Sequence, residues 1–227
     1  MADPRVARSI HKELNELIGE LVELGMVDDQ NFASLRRGPG GSWTVDQGGA
    51  PMSLSLKKRP YDHIYRDLES ARSYAMRLLD GALLQFSYEG ISEQVVRHRL
   101  AYLPSPRLES FQNNPDLYIR ELHFVEIVGH QVVPVPIRLD YDNRDGVAVD
   151  VVHPAAHLTM GQYQHCRVPV SRPASPSEFT EFIIQSFYST PAMDPVSLRQ
   201  HVSGLPRTIT DAESEKIYIA MPGTTSS

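Results

Sequence analysis

The 227-residue chain contains one cysteine, Cys166, so no disulfide can form within it. A chain of this size without a disulfide framework suits a reducing compartment, and a cytoplasmic location is the expectation. Long apolar runs are missing as well. The first apolar positions are interrupted by Lys12, Glu13, Glu16 and Glu20, which leaves no signal-peptide core, and no later run is long enough for a membrane span. There is no internal repeat. Walker loop, Gly-x-Gly-x-x-Gly, His-Glu-x-x-His and Gly-x-Ser-x-Gly patterns are all absent, which removes the usual nucleotide-loop, zinc-protease and serine-hydrolase readings. Nor is there an excess of positive charge. Lys and Arg number 22 against 28 Asp and Glu, for a net charge of -6, so the whole surface cannot track a phosphate backbone. Basic groups occur only locally, at Arg36 and Arg37, at Lys57 to Arg59, and at Arg97, Arg99 and Arg107.

What remains is an ordinary globular composition, 41% apolar and 22% charged, sufficient to bury a core. The length fits one large domain, expected over residues 1–220, with 221–227 as a disordered tail. Asp3-Pro4 reads as a helix start, and Ile10, Leu14, Leu17, Ile18, Leu21 and Leu24 recur at helical spacing until Gly25. The glycine-rich stretch 38–49 predicts a loop around a short strand at Trp43. A second helix is expected from Pro60 to about Arg72. Asp80-Gly81, between two apolar runs, predicts a hairpin turn, although continuation of the helix through the first run stays open. In the strand from Val95 to Leu103, Val96, His98, Leu100 and Tyr102 face one way and Arg97, Arg99 and Ala101 the other. Turns are read at 104–106 and 112–116, and 118–128 fits no single element type. Val133, Val135, Ile137, Leu139 and Tyr141 alternate with Pro134, Pro136, Arg138, Asp140 and Asp142, and the prolines place the early part of this strand at an edge. Ser175-Pro176-Ser177-Glu178 resembles a capping box opening a helix to Tyr188. The fold class that follows is α+β: an antiparallel sheet of meander and hairpins packed with an N-terminal and a C-terminal helix.

The alternating valines at 147, 149 and 151 predict a second strand returning after Asp142. A three-residue loop, Arg144 to Gly146, would set Asp150 directly across from Asp140, with Asp142 beside them. Opposed like charges on a sheet are unfavourable, so three carboxylates on one face require a cation: Mg²⁺ or Mn²⁺, or an arginine such as Arg138 or Arg144. The metal alternative supplies phosphodiester chemistry. Solvated carboxylates neutralised by Arg138 are the plainer alternative. Just beyond lies a run from His153 to Arg167 dense in polar groups. His157 is a candidate metal ligand or general acid/base. Thr159, Gln162 and Arg167, together with Arg138 and Arg107, are candidates for holding a phosphate or carboxylate. Alternatively, His157 and Thr159 only satisfy buried backbone groups. Cys166 has no flanking pattern of a nucleophile and reads as a small buried hydrophobe.

Four stretches resemble the bacterial family catalogued as domain of unknown function 2290: Leu78 to Glu89 (LLDGALLQFSYE), Arg99 to Phe111 (RLAYLPSPRLESF), Pro136 to Asp142 (PIRLDYD), and His153 to Tyr188, including AAHLTMGQYQHCRVPVS. The resemblance covers about residues 1–190 and implies no particular activity. Where other members have Ser before the central His, this chain has Ala156. Leu139-Asp140-Tyr141-Asp142 with Ala155-Ala156-His157 also resembles the Asp-x-Asp and small-x-His pair of archaeo-eukaryotic primases, which implies metal at the aspartates and nucleotide phosphate at the histidine. The spacing between the two motifs is shorter here. Two functions follow as expectations. One is metal-dependent chemistry on nucleic acid, within a defence or mobile-element system, using Asp140, Asp142, Asp150 and His157. The other is a non-catalytic subunit whose strand edge or N-terminal helix docks onto a larger protein from the same operon, with the surface around Tyr102, Arg107 and Phe111 carrying the interface.

Overall fold

The computed structural model describes residues 3–48, 59–106, 135–163, 165–188, 198–199, 202 and 205–222. Helix α1 (Arg5–Glu23) buries Ala7, Ile10, Leu14, Leu17, Ile18 and Leu21 along one stripe. Its end is a left-handed Gly25 at φ 68, with the Gly25 N–H donated to the Val22 carbonyl and the Met26 N–H to Leu21. These paired bonds satisfy carbonyls that a helix end otherwise leaves open. Asp3 is not the cap. Pro4 takes the N-cap position, and the Asp3 carboxylate accepts from Arg37 Nε at 2.5 Å.

Among the described residues nine strands form one sheet: β1 (Val27–Gln30), β2 (Ser34–Arg37), β3 (Ser42–Asp46), β4 (Met76–Leu78), β5 (Leu83–Ile91), β6 (Gln94–Leu103), β7 (Ile137–Asp142), β8 (Ala156–Met160) and β9 (Val168–Pro169). The order is β1-β4-β5-β6-β7-β8-β9, with β2 paired to β3 and β3 to the far half of β5, and every strand pairing is antiparallel. The Asp80-Gly81 turn closes the β4–β5 hairpin, with Gly81 at φ 84. Helix α2 (Tyr61–Ser70) precedes it, and helix α3 (Pro176–Phe187) opens on a full capping box between Ser175 and Glu178. The one-turn helix α4 (Asp211–Ser214) is capped the same way by Thr210 and Glu213. Met221 donates its N–H to Ser171 Oγ and the Pro222 carbonyl accepts from Arg172. The remainder of the expected tail lies outside the described residues, as do the expected turn at 112–116 and the segment 118–128.

The alternation of each strand sorts its side chains onto two faces. On one, Leu84, Phe86 and Tyr88 of β5, Leu100 and Tyr102 of β6, Ile137, Leu139 and Tyr141 of β7, and Ala156 and Leu158 of β8 join the stripes of α1 and α3 in the main core. Buried Glu13 links the two helices, accepting from the Ser177 N–H at 3.0 Å in the first turn of α3, where a negative charge is favoured. On the other face, Leu83, Ala101 and Leu103 pack under Ile64, Tyr65 and Leu68 of α2. Beyond α2, the face presents Arg97, Arg99, Arg138, Asp140, Asp142, His157 and Thr159.

Three expectations are corrected. First, residues 143–155 do not form a strand beside β7. Val147 to Val152 make turns with one bridge, Val149 to His153, and Val149, Val151 and Val152 are exposed. This segment is drawn to the α4 cap instead: the Val151 N–H reaches Glu213, and the Asp150 carboxylate accepts from the Thr210 hydroxyl. Second, the strand expected from Val133 begins only at Ile137, after Pro136, with β6 and β8 on its two sides; Val133 and Pro134, where the edge was expected, lie outside the described residues. Third, Val96 does not share the face of His98. A bulge pairs Glu89 with Arg97 but Gly90 with Val95, which leaves Val96 as the extra residue. Strands β1 and β2, polar and only four residues long, carry no apolar period and were not foreseen.

Candidate functional site

Strand pairing assembles a charged layer from residues far apart in the chain. Asp140, in the middle of β7, lies opposite Arg99 on β6 and opposite His157 on β8. One step along, Arg138 lies opposite Thr159, and one step the other way Asp142 lies opposite Arg97. The Asp140 side chain is only 13% exposed and accepts from Arg99 Nε at 2.9 Å, with Arg138 Nη1 at 3.6 Å and His157 Nε2 at 3.9 Å. Burial pushes the Asp140 carboxyl up, but the two guanidinium groups more than offset this and hold it below the ordinary carboxylate range. Asp142 is likewise held low, because its Arg144 bonds, 2.5 Å to Nη2 and 2.8 Å to Nε, outweigh partial burial.

The predicted cluster of Asp140, Asp142 and Asp150 therefore does not form. Asp150 does not oppose Asp140, since β8, arriving from residue 156, occupies the position that the valine strand was expected to fill. The cation that the remaining carboxylates required is arginine: Arg99 and Arg138 for Asp140, Arg144 for Asp142. Among the described residues no three His, Cys, Asp or Glu side chains converge as ligands for one metal ion.

His157 is buried in this layer, and its hydrogen bonding assigns its tautomer. Nδ1 lies 2.8 Å from the Pro154 carbonyl, which can only accept, so Nδ1 carries the proton and Nε2 keeps its lone pair on the side of Asp140. Burial lowers its pKa from the ordinary value, helped by His153 and Arg167 and opposed by the Pro154 bond and Asp140. His153, its ring 5.1 Å away, is held the same way by its Nδ1 bond to the Val147 carbonyl at 2.8 Å. Neutral His157 is thus a pre-oriented proton acceptor.

Above the layer opens a cleft of about 470 Å³, within the size range of small-molecule sites. Arg97, Arg99, Arg138 and Arg167 line it against Asp140 and Asp142, so the walls carry a net positive charge in a protein whose total is -6. Arg138 Nε is buried and has no hydrogen-bond partner among the described residues. Burial lowers the proton affinity of Arg138, and Arg99 and Arg167 lower it further against the pull of Asp140.

The structure thus brings Arg138, Asp140, Asp142, His157, Thr159, Gln162 and Arg167 to one cleft and leaves Asp150 out of it. Arg107 and Phe111 lie outside the described residues. Tyr102, expected at a partner interface, is buried, its ring stacked on Phe187 at 5.2 Å. Arg97, Arg99 and Tyr163 also line the cleft and were not among the candidates. The alternation of β6 had already put both arginines on one face; what it lacked was the identity of the neighbouring strand.

No curated protein and no solved structure matches the chain. A family model does, over residues 26–221, a span that holds all nine strands and helices α2, α3 and α4. No helix among the described residues is long and apolar enough to cross a membrane. With a match over most of its length, the chain belongs to the family described as "Uncharacterized conserved protein (DUF2290)".

Proposed function

We propose that the protein binds a phosphate-bearing ligand, a nucleotide or nucleic acid, in the arginine-lined cleft, and that His157 transfers a proton there. The observation that carries this reading is the excess of guanidinium over carboxylate in a partly buried cleft, with Arg138 Nε lacking a partner. Arginines crowded in this way repel one another, and an anion bound among them relieves the repulsion. Thr159 and Gln162 on the cleft wall add neutral polar groups. Asp140 keeps Arg99 and Arg138 in place and faces His157 Nε2, so a proton taken up by the imidazole is stabilised by the carboxylate. Mg²⁺ or Mn²⁺, in this reading, arrives with the phosphate, since arginines already neutralise Asp140 and Asp142.

The test uses sodium tripolyphosphate, followed by thermal shift, and a fluorescein-labelled oligothymidylate, followed by anisotropy, each with Mg²⁺ and with EDTA. Arg167→Ala and Arg138→Met are expected to weaken both ligands. Each removed contact is expected to reduce the slope of log affinity against log salt for the single strand by about 0.7. His157→Asn is expected to retain affinity and to lose any conversion of the oligonucleotide seen on gels. Unchanged binding in both arginine variants would remove this reading in favour of a subunit that docks on a protein partner.

A further inference from the structure

Tyr163 is 74% exposed, the most open aromatic residue of the described structure, and it stands on the wall of the same cleft as Arg138 and Arg167. Its position is built rather than incidental. The preceding turn passes through Gly161 at φ 63, and a Cβ added there would come within 3.2 Å of Tyr163 Cδ2 and 3.3 Å of Cε2. A side chain at 161 would thus crowd the ring at Cδ2 and Cε2, and the glycine leaves that space to a ring that is otherwise largely exposed. The turn is tied at two points. The Gly161 N–H donates to the Pro136 carbonyl at 2.7 Å, and Gln162 Nε2 donates to the Arg59 carbonyl at 2.9 Å. An exposed aromatic ring on the wall of an arginine-lined cleft offers two recognition elements at once: a π-face and a phosphate site.

Resting on the phosphate reading above, we infer that the cleft takes unpaired nucleic acid, with a nucleobase stacked on Tyr163 and its phosphate against Arg138 and Arg167. A duplex keeps its bases stacked on one another and withholds their faces from the ring. A phosphopeptide supplies phosphate but no flat partner. Unpaired DNA and RNA share the required chemistry, because every base has a π-face and both backbones carry phosphate.

Anisotropy titrations with labelled oligodeoxythymidylate and oligouridylate test this, alongside an abasic strand, a duplex and a phosphopeptide of matched charge. One or both single strands should bind more tightly than the duplex, the abasic strand and the phosphopeptide. Tyr163→Ala should weaken the single strand roughly tenfold or more, leave the abasic strand unaffected, and be rescued by Tyr163→Phe, which keeps the ring. Equal binding of the single strand by Tyr163→Ala and the parent protein would overturn the inference, as would a duplex or phosphopeptide bound as tightly as the single strand. Failure of stacking is distinct from failure of the phosphate reading. If Arg138→Met and Arg167→Ala still lose tripolyphosphate and oligonucleotide while Tyr163→Ala loses nothing, the phosphate site stands without the platform. If the arginine variants lose neither ligand, both fall.

Discussion

His98 and His157 sit on opposite faces of one sheet, separated only by β7, and behave as different residues. His98 lies on the helix-covered face between the rings of Tyr88 and Tyr141, at 5.4 and 5.6 Å, and its Nε2 accepts the Ala174 N–H at 3.2 Å. Burial lowers its pKa to about 4. His157 lies on the charged face, and only its Nδ1 is bound by the fold. The same imidazole is a structural acceptor where an N–H from the loop before α3 reaches it, and a free base where the backbone takes the other nitrogen. Burial keeps both neutral. What separates a core histidine from a candidate site is which nitrogen remains available and what it faces.

The contrast between the faces can be broken most directly by deleting side chains from neighbouring residues of β6. Leu100 is fully buried on the covered face, and Leu100→Ala should cost about 2–5 kcal/mol in urea unfolding. Arg99→Met on the other face should cost clearly less; an equal cost would mean that the charged layer is as much a core as the apolar one.

The pH dependence of stability sharpens the histidine comparison. With a folded pKa of about 4 against 6.5 for the ordinary side chain, His98 binds its proton more readily in the unfolded chain. Its contribution is therefore present above pH 6.5 and lost as the pH falls towards 4, by roughly 3 kcal/mol in all. His98→Gln should flatten that limb of a stability profile measured by urea unfolding, whereas an unchanged slope would place the proton uptake elsewhere. His157 works in the same direction from its own depressed pKa.

A smaller effect is expected at Asp140. Asp140→Asn leaves Arg99 and Arg138 without their counter-charge and should cost about 1–3 kcal/mol at neutral pH. Because its folded pKa is depressed, the carboxylate's contribution holds above the ordinary carboxylate range and disappears as the pH falls through the folded value. The difference between parent and variant should close in acid. If it persists there, the layer is held by shape rather than by charge.

Much of the fold was legible because its signals are local. The stripe of α1 from Ile10 to Leu21, the Ser175 capping box, the Asp80-Gly81 turn and the period-two patterns of β6 from Arg97 and of β7 from Ile137 each span a few residues, and these are present as expected. The site was legible only in part. Arg138, Asp140, Asp142, His157, Thr159, Gln162 and Arg167 could be singled out by type and density, yet their grouping was misread. The valines at 147, 149 and 151 carry a strand's alternation, but Val151 adopts φ 65, an unusual value for a β-branched residue, in a turn where its own N–H donates to Glu213 and Asp150 accepts from Thr210. Those anchoring residues lie about sixty positions away. No pattern within the turn announces them.

By itself, the amino-acid sequence determined the α+β class, the principal helices, the faces on which the residues of β7 lie, and the resemblance to a family. Only the tertiary structure decided that β7 has β6 and β8 as neighbours, and so that Asp140 meets Arg99 and His157 rather than Asp150. The physical reason is range. Propensity, capping and alternation act within a turn or a strand, whereas the choice of neighbouring strand depends on burying Leu139, Ala156 and Leu158 together beneath helices that come from both ends of the chain.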